Sequence, residues 1–202
     1  MLDNKRPRNG GSAGWADAVT IISWNSYLLY GDKEQLALRY NSMKKWVDYM
    51  ISQSKEGLYK GGDHYGDWLF FSQPNDPPGR SAVSNKFMIA QAFYQYSTDI
   101  LIKAAKVLGE EADVIYYRKI WEQGNKKFHD EYVTNNGMIM GDTQTAYVLS
   151  LKFNLLSEKN RKIAFDRLVN NIENYGHLTT GFLGTPYLCE ILSSNGRPDL
   201  AI

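Results

Sequence analysis

The chain has 202 residues, a net charge of +1 and 43% apolar residues, which fits one sizeable globular domain or a large piece of one. The near-neutral charge argues against a nucleic-acid partner, because it offers no basic excess to collect phosphates. No apolar run is long enough to cross a bilayer, so no membrane partner is expected. Residues 1–11 are too polar for a signal peptide, and the compartment stays open. The single cysteine, Cys189, is expected in the core.

Helical periodicity dominates, and no segment shows sustained strand alternation, so the predicted fold class is all-α. Gly31 ends the first predicted helix, and Asp32 with Gln35 forms a capping box that begins the second. Seven helices are predicted, at residues 13–30, 33–55, 84–108, 111–133, 143–156, 158–175 and 186–195.

The links between the predicted helices alternate in length. Short links at Gly31, Gly109 and Ser157 make antiparallel hairpins, and long links carry the chain from one hairpin to the next. The long links cover residues 56–83, 134–142 and 176–185. This alternation predicts a toroid of inner and outer helices whose long loops emerge at one end. A solenoid of helix pairs is the competing architecture, but the sequence shows no fixed repeat period.

Two acid-plus-tryptophan pairs lie in these loops. Trp15 and Asp17 open the first helix, where Asp17 is either a helix-start acid or a ligand-binding acid beside an aromatic platform. Asp67 and Trp68 lie in the longest loop, where the alternative is a structural role, with the aspartate in a turn and the tryptophan buried under the loop. Tryptophan presents its face to a sugar ring and aspartate accepts hydrogen bonds from hydroxyls, so together the pairs are typical of a carbohydrate pocket.

The segment Gly176–Leu188 combines glycine, threonine and aromatic residues with His177. This composition permits close backbone approach and favours either a ligand-binding loop or a packed inter-helix crossover. The three histidines are scattered singly, so neither a metal site nor a cofactor is predicted. No nucleophile-elbow motif supports Ser/His/Asp catalysis.

The chain resembles the catalytic domain of bacterial α-L-rhamnosidases, among the six-hairpin glycosidases, at four motifs. These are Gly14-Trp15-Ala16-Asp17-Ala18, Gly66-Asp67-Trp68-Leu69, Thr143-Gln144-Thr145-Ala146-Tyr147 and Gly176–Leu188. The resemblance implies an (α/α)6 barrel of twelve helices, of which about seven are present. Residues 1–202 would then be one incomplete catalytic barrel domain, with residues 1–12 extended or flexible.

The resemblance also implies hydrolysis of terminal α-L-rhamnosides with inversion, by one glutamic acid and one glutamate base. The motifs that carry this pair do not occur in the chain, so no catalytic residue is assigned and the chain alone is expected to be inactive. The expected partners are a rhamnose-containing oligosaccharide or glycoside and the remainder of the parent chain. The alternatives are a non-catalytic carbohydrate-binding helical domain and a helical scaffold. The candidate substrate-binding residues are Trp15, Asp17, Tyr65, Asp67, Trp68 and His177.

Overall fold

A computed structural model describes residues 10–75 and 83–201 of the chain. Within these residues the structure has seven α-helices and one short β-hairpin. The expectation for residues 1–12 falls mainly on positions outside the described residues. The helices are α1 Ala18–Tyr30, α2 Lys33–Ser52, α3 Lys86–Leu108, α4 Glu111–Tyr132, α5 Gln144–Lys152, α6 Glu158–Tyr175 and α7 Thr185–Ser194, the strands are β1 Ser54–Lys55 and β2 Leu58–Tyr59, and a 3-10 turn spans Pro198–Leu200.

The helices alternate between an inner and an outer layer, as the link lengths predict. Helices α1 and α2, α3 and α4, and α5 and α6 pack as hairpins, while α1, α3, α5 and α7 contact one another in series. Helix α3 is buried around most of its circumference, as an inner helix must be. Helix α2 buries one stripe of residues, which is typical of an outer helix with a solvated face. The all-α hairpin architecture is thereby confirmed.

Three predicted helix ends differ from the structure by three residues or more. Helix α1 begins at Ala18 because residues 13–17 form tight turns, with Gly14 at φ 85°. Helix α2 ends at Ser52, since Glu56 and Gly57 both have positive φ and turn the chain back as a hairpin. Helix α5 ends at Lys152, just before Asn154 adopts a left-handed conformation. In each case a local turn shortens the predicted helix.

Cys189 is a correction to the sequence analysis, because its side chain is exposed. It lies on α7 and lines a groove with Leu188 and Leu200, rather than the core. The apolar neighbours of Cys189 in the sequence fit a buried position, but α7 turns that face outward. No helix among the described residues is both long and apolar enough to cross a membrane.

Candidate functional site

Three loop segments that precede inner helices meet at one end of the bundle. They are the α1 entry (residues 10–17), the long loop (residues 60–75) and the α7 entry (residues 176–184). The backbone amide of Ala13 in the α1 entry donates to His64 Nδ1 in the long loop, at 3.2 Å. The amide of Phe182 in the α7 entry donates to the Trp68 carbonyl, at 2.7 Å. Two of the predicted long links, the long loop and the α7 entry, therefore meet at one end, and the α1 entry joins them there.

Four aromatic side chains from these segments form a cluster, the four-ring cluster of Trp15, Tyr65, Trp68 and Phe182. Trp15 stacks on Phe182 with ring centroids 5.8 Å apart and meets the Tyr65 ring edge-on at 5.0 Å. Tyr65 in turn stacks on Trp68 at 6.3 Å. Trp68 is 62% exposed, Phe182 59% and Tyr65 45%, so the cluster presents apolar ring surface to solvent.

Asp17 follows Trp15 by two positions and is fully buried. Its Oδ1 accepts from the Trp46 indole at 2.9 Å and from the Ser97 hydroxyl at 2.5 Å, and its Oδ2 accepts from the Gly14 amide at 2.7 Å. Burial raises the pKa of Asp17, and the hydrogen bonds from Ser97, Trp46 and Gly14 oppose that rise. Asp17 thus joins the α1 entry to helices α2 and α3.

Asp67 is also buried, with 6% of its surface exposed. Its Oδ1 accepts from the amides of Leu183 at 2.8 Å and Gly184 at 3.3 Å. Its Oδ2 accepts from the Gly181 amide at 2.7 Å and from the Thr145 hydroxyl. The carboxylate therefore binds the turn that leads into α7.

His64 fastens the long loop to the α1 entry. Its Nδ1 accepts the Ala13 amide, so the proton of the neutral ring is on Nε2, which donates to the Gly61 carbonyl at 2.8 Å. Burial lowers the pKa of His64, with nearby Lys86 adding to the effect, and this favours the neutral ring that the Ala13 hydrogen bond requires.

His177 is half-buried and contacts a different aromatic residue. Its ring meets Phe71 edge-on at 5.3 Å, and Nδ1 lies 2.7 Å from the Leu178 carbonyl, as a donor would. Phe71 follows Trp68 by three positions, so His177 lies against the same long loop. Its ring also meets Tyr175 edge-on at 5.8 Å.

Two residues of the site were missed as candidates in the sequence. Phe182 lies in the α7 entry, and its signal was an aromatic residue among glycines and threonines. Thr145 lies in a motif that carried the resemblance, but nothing in its own neighbourhood indicated that its hydroxyl would reach Asp67, 78 positions away. Contacts of this range depend on tertiary packing and leave no local pattern.

A cavity of about 350 Å³ adjoins the cluster. Tyr65, Asp67 and Trp68 line one side, and Asn85 and Lys86 at the start of α3 line another. The volume is at the lower end of the range for small-molecule sites, which suits a monosaccharide. Among the described residues no group of three or more His, Cys, Asp or Glu side chains is placed to hold a metal ion.

Known proteins match both the sequence and this fold. Residues 4–202 match the family described as the bacterial alpha-L-rhamnosidase 6 hairpin glycosidase domain. An alpha-L-rhamnosidase of Streptomyces avermitilis is 40% identical over 192 residues, which cover 95% of this chain and 18% of that protein. An alpha-L-rhamnosidase of Formosa agariphila is 36% identical over 192 residues, covering 94% of this chain and 20% of that protein.

Solved structures give the same result. The crystal structure of Streptomyces avermitilis alpha-L-rhamnosidase complexed with L-rhamnose aligns with a TM-score of 0.84 at 39% identity, covering 94% of this chain and 17% of that one. The alpha-L-rhamnosidase of Aspergillus terreus aligns with a TM-score of 0.86 at 31% identity, covering 95% and 22%. The fold and the motifs define a six-hairpin glycosidase domain. The chain belongs to the bacterial alpha-L-rhamnosidase six-hairpin glycosidase family, and it spans about a fifth of the length of the relatives it matches.

Proposed function

We propose that the chain supplies part of the sugar-binding pocket of a glycoside hydrolase that removes terminal α-L-rhamnose with inversion. The observation that carries the proposal is the exposed four-ring cluster at the loop end of the inner helices. Family membership supports the reaction, and the complex of the Streptomyces relative with L-rhamnose supports the sugar. The substrate class is then a rhamnose-containing oligosaccharide or glycoside.

The six candidate residues fall into three groups under this proposal. Trp15, Tyr65 and Trp68 offer ring surface, so we propose that they contact the apolar face of the sugar. We propose that His177 contributes at the margin of the site, a role supported by its ring contact with Phe71. The carboxylates of Asp17 and Asp67 have internal partners, and their contact with sugar hydroxyls stays a prediction.

The experiment measures hydrolysis of an aryl α-L-rhamnoside by the full-length protein and by single variants. Trp15→Ala and Trp68→Ala should each lower kcat/KM by at least about tenfold, since each removes stacking area from the sugar. Trp24→Ala is the matched control, because Trp24 is a half-buried tryptophan of α1 that packs on Tyr27 instead.

The anomer of the first product, followed by NMR, tests inversion in the same reaction. Equal rates for Trp15→Ala, Trp68→Ala and Trp24→Ala would overturn the pocket assignment. Rhamnose binding without hydrolysis by the full-length protein would replace the hydrolase proposal with a non-catalytic carbohydrate-binding domain.

A further inference from the structure

The acceptor capacity of Asp67 is fully used inside the protein. A carboxylate offers about four lone-pair positions, and Asp67 accepts from three amides, those of Gly181, Leu183 and Gly184, and from the Thr145 hydroxyl. Each oxygen receives two donors. A sugar hydroxyl that donated to Asp67 would have to displace one of these four, which lie in a buried setting.

The three amides belong to the turn that begins α7. Gly184 is the residue before this helix, and it has no side chain to cap the first turn. The Asp67 carboxylate comes from a distant segment and binds the amides just before the helix, where a negative charge is favoured. The long loop and the α7 entry are therefore held together by one charged side chain.

The same two segments carry rings of the four-ring cluster. Trp68 follows Asp67 directly, and Phe182 lies between two of the amides that Asp67 binds. The Phe182 amide also donates to the Trp68 carbonyl. A shift of the turn at Gly181 would move the Phe182 ring off Trp15 and move the backbone beneath Trp68.

We propose that Asp67 is a positioning residue, which sets the spacing of Trp68 and Phe182 and makes no direct bond to the sugar. The effect of Asp67 on catalysis rests on the proposed function, whereas its hydrogen bonds to the turn before α7 are a property of the ligand-free protein. The role differs from that of Trp15, Tyr65 and Trp68, which would touch the substrate.

The test uses the full-length protein and three variants. Asp67→Asn replaces one oxygen by an amide that cannot accept, so the Gly181 amide and the Thr145 hydroxyl, or the other pair of donors, lose their partner. Thr145→Val removes one donor from a buried position at nearly constant volume, and Thr145→Ser restores the hydroxyl as its matched control. Hydrogen exchange of peptides covering residues 179–186 is measured without ligand, and kcat/KM is measured at a temperature where each variant is folded.

Asp67→Asn should raise ligand-free exchange at residues 179–186 and lower kcat/KM by roughly ten- to a hundredfold, because misplacement of positioning groups is costly. Thr145→Val should act in the same direction by about two- to tenfold, and Thr145→Ser should return both quantities toward wild type. If Asp67→Asn fails to fold, the threonine pair still decides the question.

A drop in kcat/KM with exchange unchanged would overturn the proposal in favour of a direct sugar contact. Faster exchange with unchanged kcat/KM would overturn the positioning role. A wild-type protein with no activity toward rhamnosides would instead refute the proposed function, while the exchange data would still report whether Asp67 holds the turn.

Discussion

Asp17 has a structural role beyond that of an acid at a helix start, because it joins three segments of the protein. Its carboxylate does not cap the first amides of α1, and it reaches back to Gly14 and across to Trp46 and Ser97. These partners come from the α1 entry and from two further helices. Removal of the side chain therefore leaves donors unpaired in three places.

We expect Asp17→Ala to lower the free energy of unfolding by about 2–5 kcal/mol, because three donors, two of them buried, lose their acceptor. Asp130→Ala is the matched control, since Asp130 is an exposed aspartate of α4, and it should change the value by no more than about 0.5 kcal/mol. Chemical denaturation of both variants gives the comparison. Equal stability of the two would contradict the buried network. If the folded Asp17→Ala protein hydrolyses a rhamnoside more slowly than wild type, Asp17 contacts the sugar.

His64 makes the site sensitive to pH. Because burial lowers the pKa of the folded ring, the unfolded chain binds the proton more readily, with an ordinary pKa of about 6.5. The neutral ring therefore contributes stability above that pH, and the contribution is lost as pH falls below it.

Between pH 7.5 and 5.5 the wild-type melting temperature should fall further than that of His64→Asn. Asparagine keeps an acceptor for the Ala13 amide but does not titrate in this range. Differential scanning calorimetry at the two pH values measures the melting temperature of both proteins. All other ionisable groups are the same in the two, so the difference between them reports on His64. A parallel fall in the two would show that His64 is not the group responsible.

At the scale of elements, the approach of the long loop to the α7 entry depends on Gly181. A Cβ at this position would lie 2.5 Å from the Trp68 carbonyl oxygen and 2.7 Å from the Phe70 amide nitrogen. Both are backbone atoms, so no side-chain rotation relieves the contact. Glycine is required here for close approach rather than for its backbone angles.

Gly181→Ala should therefore lower the free energy of unfolding by about 1–3 kcal/mol, as overpacking does, and should separate the two loops. Gly176→Asn is the control within the same segment, because asparagine tolerates the left-handed conformation at a helix end and nothing lies within 4 Å. Urea denaturation of the two variants is the measurement. A Gly181→Ala protein as stable as Gly176→Asn would mean that the loops are not in contact.

The pattern of helices and links could be predicted from the sequence because it depends on local signals. The second helix begins with the predicted bond from the Gln35 amide to Asp32, and Gly31 has the left-handed conformation expected of a helix end. The hydrogen bonds that Asp67 accepts could not be predicted, because their donors lie 78 and 114–117 positions away. The sequence indicated which loops form the site, and packing decides which of their side chains are covered.

At the scale of the whole molecule, α1 has an uncovered apolar side. The helix contains no charged residue, as suits an inner position, yet Leu29 is 76% exposed and Tyr30 81%. Ile22 and Leu28 add to the same surface, at 60% and 61%. The relatives are about five times longer than this chain, which gives them material to cover such a surface.

The isolated 202-residue chain should accordingly self-associate as its concentration rises. Replacing Leu28 and Leu29 by lysine removes apolar surface and adds charge, so this double variant should sediment as a smaller species. Glu34→Lys is the charge control, because it changes the net charge as much as the double variant does, lies next to the patch and leaves the leucines in place. Sedimentation velocity that shows a monomer for the unaltered chain at all concentrations would contradict the prediction.

We propose that the four-ring cluster forms the wall on which rhamnose binds. A crystal structure of the full-length protein soaked with L-rhamnose tests it most directly. We expect a sugar ring whose apolar face lies against Trp15 or Trp68, with the Asp67 carboxylate still bonded to the Gly181 and Leu183 amides. Rhamnose bound away from these rings, with the cluster solvated or covered by other parts of the protein, would contradict it.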